Sequence, residues 1–86
     1  SDRIQKGRAL VEKGPDSYLE SLKARMSSGE ASVSPVHESM IILKNLHRMI
    51  EILRELLGEK EWASSPKARE WDKKAEELSK AQLQRV

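Results

Sequence analysis

Eighty-six residues make one domain at most, and a chain this short buries a smaller share of its surface than a longer one, so its core is marginal. Cysteine is absent, which excludes disulfides, thiolate chemistry and cysteine-based zinc sites together. Charged residues make up 35% and the hydrophobic class 37%; 16 basic against 14 acidic side chains leave a formal charge of +2, which gives no reason to expect nucleic acid or acidic lipid.

With no Phe, one Tyr and two Trp, the core has to be built from Leu, Ile, Met and Val, a composition that favours helices over sheets. Three prolines punctuate the chain, each after Gly or Ser: Gly14-Pro15, Ser34-Pro35 and Ser65-Pro66. Proline suits the first turn of a helix, where its missing N–H has no partner to lose, and a preceding Ser caps the next free N–H groups. Gly14, Gly29 and Gly58 each follow a periodic segment, where a helix-closing residue belongs. The expected fold is therefore all-α: an antiparallel three-helix bundle around a central hydrophobic helix, with a short fourth helix at the N-terminus if that segment is ordered. The helices are expected at about 2–13, 15–27, 35–57 and 66–84.

The first segment carries Ile4, Leu10 and Val11 among Arg3, Lys6, Arg8 and Lys13, and reads as a weak, short helix. The second opens on Asp16, with Ser17 and Glu20 at capping-box spacing, and shows a narrow stripe of Tyr18, Leu19, Leu22 and Met26. Residues 28–33 are small and polar and read as a loop.

The third segment holds a dense run of aliphatics, SPVHESMIILKNLHRMIEILRELLG over Ser34 to Gly58. At about 100° per residue its apolar positions cover roughly two-thirds of the circumference, where an ordinary surface helix shows a stripe of about 100°. Leu43, Leu46, Ile50, Leu53 and Leu57 keep the 3-4 spacing of bundle or coiled-coil packing. The remaining wedge is polar and holds Lys44, Arg48, Glu51 and Glu55. Ile41 and Ile52 fall within roughly 20° of one another, beside Asn45 and Arg48, on the side away from Leu43. The flanking helices offer too little apolar surface to cover that arc. The second face is expected to meet either the N-terminal segment or another chain.

Glu59 to Ser64 reads as a polar connection holding Trp62, which serves either as a lid over the open end of the core or as an interface anchor. The last segment, 66–84, is expected to bury Ala68, Trp71, Ala75 and Leu78 and to carry i,i+4 ion pairs outside.

Catalytic chemistry finds little footing. His37-Glu38 begins a zinc-protease motif, but the second His would fall at Ile41, and His47 lies about 15 Å further along the helix. No Gly-rich phosphate loop and no nucleophile elbow occurs. No enzyme activity, metal or cofactor is expected. The run 36–57 is long enough to cross a bilayer, yet Lys44, Arg48, Glu51, Arg54 and Glu55 make that expensive, so membrane insertion is not expected. The chain starts at Ser1 without a signal peptide and is expected to be an excised or processed part of something longer, soluble and intracellular.

The leading expectation is a protein–protein interaction or oligomerisation module. Its partner is another protein chain, a second copy or a foreign one, and its partner-binding residues are Ile41, Lys44, Arg48, Glu51, Ile52, Glu55 and Trp62. The alternatives are a small nucleic-acid-associated regulator using the basic N-terminal segment, and the interaction domain of an exported bacterial effector or chaperone.

Overall fold

The computed structural model describes residues 1–27 and 34–84, and over these it is a bundle of five helices without strands. They are α1 (Asp2–Lys13), α2 (Pro15–Ser27), α3 (Pro35–Leu57), α4 (Glu59–Ser64) and α5 (Pro66–Gln84). The expected loop at 28–33, with Gly29 as a helix-closing residue, lies outside the described residues.

The joints follow the punctuation. Ser34 accepts a hydrogen bond from the His37 N–H at 3.2 Å, and Ser65 accepts one from the Ala68 N–H at 3.1 Å, each with a proline directly after the cap. Gly14 and Gly58 take φ of 92° and 90° with ψ near extended, a conformation in which a side chain is strained although the space around both is open. Each turns the chain sharply while its N–H still bonds back into the preceding helix.

Because the kink at Gly14-Pro15 is so short, α1 and α2 form one broken rod rather than two separate bundle members. Both halves run antiparallel to α3. Gly7 of α1 lies against Leu53 and Leu56, while the Tyr18 hydroxyl of α2 donates to the Asn45 carbonyl at 3.3 Å. A Cβ on Gly7 would stand 3.3 Å from Leu56 Cδ1, so the missing side chain lets the two helices close on one another. On the other flank, His47 approaches Ser79 at 3.4 Å, and the groove from His47 to Arg54 runs past Ser79 to Asp72, which makes α5 antiparallel to α3 as well. The all-α bundle is the expected one, but the N-terminal helix joins α2 in one rod instead of standing as a fourth member.

The core is Val11, Leu19, Leu22, Ile42, Leu46, Ile50, Leu53, Trp62, Ala68, Trp71 and Ala75. Apart from Leu78, expected to be buried and found half-buried, two features depart from the sequence expectation. First, the buried seam of α3 runs Ile42, Leu46, Ile50, Leu53, with Leu43 and Leu57 only half-buried. The α2 half of the broken rod packs on the Ile42 side and draws the seam one residue round. Second, Glu59 to Ser64 is not an extended polar connection but a short helix that turns Trp62 inward. Trp62 is 4% exposed, and its indole N–H donates to Asp72 Oδ2 at 3.0 Å.

Trp71 sits at the centre, fully buried, with its indole N–H donating 3.1 Å to the Val11 carbonyl at the end of α1. Tyr18 packs against it with ring centroids 5.7 Å apart. Among the described residues no buried side-chain polar atom lacks a partner.

Candidate functional site: the outer face of the third helix

The core claims one side of α3, α1 and α2 claim the next, and α5 takes the third, so a single outer face remains. Along it lie Lys44, Arg48, Glu51 and Glu55, all exposed, with Ile52 on the edge nearest α1 and Ile41 one turn before Asn45, where α2 packs, each 38% exposed. Six of the seven residues singled out from the sequence therefore share one surface. The seventh, Trp62, does not. Its burial and its bond to Asp72 make it the lid over one end of the core, and it contributes no surface to this face.

The four charged residues of the strip take part in none of the ion pairs among the described residues. Their neighbours do otherwise. Arg54 holds Glu59 with a shortest contact of 2.7 Å; this hydrogen bond keeps the Glu59 carboxyl below its ordinary range and raises the guanidinium. Arg8 of α1 grips Glu61 of α4 through two hydrogen bonds of 2.8 and 2.9 Å, with the same effect on Glu61. Lys74 reaches Asp16 at 3.0 Å, and that hydrogen bond raises its ammonium pKa. The Tyr18 hydroxyl is raised by burial.

The N-terminal segment covers the second face only in part. An apolar groove of about 220 Å³ stays open between α1 and α3, with Gly7 and Leu10 on one side and Met49, Ile52 and Leu56 on the other. Sequence reasoning missed this groove. Its signal was present in the pairing of a glycine with Leu10 three residues on, which marks a close-approach face of α1. Val36 and Met40 are exposed near the start of α3, at 49% and 52%.

Of the four cations in the first segment, Arg8 is held by Glu61 and Lys6 stands 3.3 Å from Asp2, while Arg3 and Lys13 make no ion pair among the described residues. His37 sits beside the Ser34 hydroxyl at 3.2 Å in the first turn of the helix, and His47 beside Ser79 near its middle. Among the described residues no group of three His, Cys, Asp or Glu side chains is placed to hold a metal ion. No helix among them is long and apolar enough to cross a membrane. A wider groove of about 700 Å³ between α3 and α5 is lined by charges of both signs, among them Lys44, Glu51, Arg54 and Asp72. It presents no unsatisfied buried group toward a ligand.

In chemical terms the outer face of α3 can bury aliphatic surface and fix a register through charge, and it holds no nucleophile–base pair. Compared with protein-family models, with curated proteins and with solved structures, the chain matches none of them.

Proposed function

We propose that this protein is a protein–protein interaction module whose working surface is the outer face of α3. One observation carries the reading: two isoleucines stand on a face whose four charges make no ion pair among the described residues, although charges nearby on α1, α4 and α5 have found theirs. Single exposed aliphatics are ordinary on protein surfaces. What sets these apart is the company they keep, since affinity at interfaces comes from buried apolar anchors and specificity from charges around them. Covering the exposed part of each isoleucine is worth roughly 1–2 kcal/mol at about 25 cal/mol per Å². The nucleic-acid alternative draws less support, because only Arg3 and Lys13 of the α1 cations are without an ion pair among the described residues.

The test is the double variant Ile41→Glu with Ile52→Glu, immobilised beside the wild type and challenged with soluble extract of the source cells and with the wild-type chain itself. The expected result is an intact helical circular-dichroism spectrum with loss of every specific capture. A variant that unfolds places both residues in the core, and one that captures as the wild type does removes the face from any role.

A further inference from the structure

The order of the charges on the α3 strip is unexplained by the chain itself. Reading from the N-terminal end, two cations, Lys44 and Arg48, precede two anions, Glu51 and Glu55. Neighbours at i,i+4 on this strip are therefore alike in sign, which mildly destabilises a helix. The helix dipole would prefer the reverse order, since Glu55 lies in the last turn, where free carbonyls favour a cation. A strip whose basic half and acidic half are exchanged by reversal has one natural complement, which is itself running the other way. In a two-fold interface residue i meets residue j while j meets i.

Resting on the reading above, we propose that the occupant of this face is a second copy of the chain, its α3 packed antiparallel across a two-fold axis beside Leu46 and His47. Ile41 and Ile52 are eleven residues apart, about 16 Å along a helix. Setting Ile41 against Ile52 of the second copy puts the axis at their midpoint. The same axis sets Asn45 against Arg48, and it brings Lys44 within two residues of Glu51, about 3 Å along the helix. Each of these contacts occurs twice.

Two details of the face suit this arrangement. Asn45 donates its side-chain amide to the Ile41 carbonyl at 2.8 Å, so that bond is already made before a partner arrives, and its side-chain oxygen is left as an acceptor for the arginine set against it. Ile52 forms one wall of the apolar groove between α1 and α3, so Ile41 of the second copy arrives at the mouth of that groove.

Sedimentation equilibrium of the whole chain, from micromolar to about millimolar, is the direct test. The wild type is expected to reach a monomer–dimer equilibrium in this range. Lys44→Glu alone and Glu51→Lys alone, both at exposed positions, are each expected to dimerise about tenfold more weakly, because each sets like charges together twice. Mixed in equal amounts they are expected to recover at least the wild-type affinity, since the mixed pair restores both contacts. Because the chain has no cysteine, Ile41→Cys and Ile52→Cys chains oxidised together give a second readout that does not depend on the charges. The register requires the mixed disulfide dimer in preference to either homodimer. A wild type that stays monomeric throughout, charge variants that dimerise as the wild type does, or a mixture no better than its parents would each overturn the second-copy assignment. If the wild type is monomeric while Ile41→Glu with Ile52→Glu still loses a foreign partner, this assignment falls and the interaction reading stands; if no capture depends on those residues, both fall.

Discussion

Two tryptophans decide much of the local energetics, and each solves the same difficulty, an N–H taken out of water. Trp71 gives its N–H to the carbonyl of Val11, and Trp62 gives its own to Asp72. Replacing Trp71 by Phe removes a buried hydrogen bond and leaves a void in the most enclosed part of the core. The expected cost is about 2–4 kcal/mol, read from the chemical-denaturation midpoint at unchanged slope. Trp62→Phe keeps most of the apolar cover and frees a carboxylate that lies near solvent, so it should cost about 1–2 kcal/mol by the same measurement. The sequence contained the identity of these residues but not the rank between them. Trp71 belongs to a readable stripe with Ala68 and Ala75, whereas Trp62 stands in EKEWAS, six residues too short to show a period. Its inward turn comes from packing, not from local pattern.

The helix ends were the most legible feature, because proline and glycine act on backbone angles directly and need no tertiary context. Gly58 joins α3 to α4 with φ near 90°, a region that other residues enter only under strain, so Gly58→Ala should destabilise the protein by about 1–3 kcal/mol in a thermal or denaturant melt. The interior of α3 was less legible. Its aliphatic arc is so wide that several seams satisfy the periodicity, and the choice of Ile42 over Leu43 as the buried residue depends on where α2 lies. The outer face was legible as a surplus of apolar surface; that α1 would cover Met49 and Leu56 yet leave Ile52 showing depends on the close approach at Gly7. Between elements, the Arg8 clasp on Glu61 ties α1 to α4. A carboxyl depressed in the folded state adds stability that is present above the ordinary carboxylate range and lost as the pH falls through its folded pKa. Glu61 and Glu59 are both depressed by a hydrogen-bonded arginine. Melting temperature should therefore fall on acidification below the ordinary carboxylate range, and Glu61→Gln should flatten that acid limb while lowering the plateau near neutrality. An acid limb of the same slope in this variant would mean that the clasp does not contribute.

At the scale of the whole molecule, three rods share a small core, and the longest of them is covered on all sides but one. The extents of 38 × 28 × 17 Å describe a flattened body. A thin bundle has little interior to spare, so its stability depends on contacts between segments far apart in the chain. The Val11 carbonyl, which already accepts the Gly14 N–H, also accepts an indole N–H from sixty residues later, and Arg8 pairs with Glu61 fifty-three residues on. During synthesis α1 is thus made before both of these partners and completed by them. Until α4 and α5 have left the ribosome it has neither its clasp to Glu61 nor its contact with the Trp71 ring, and its docking rests on α3.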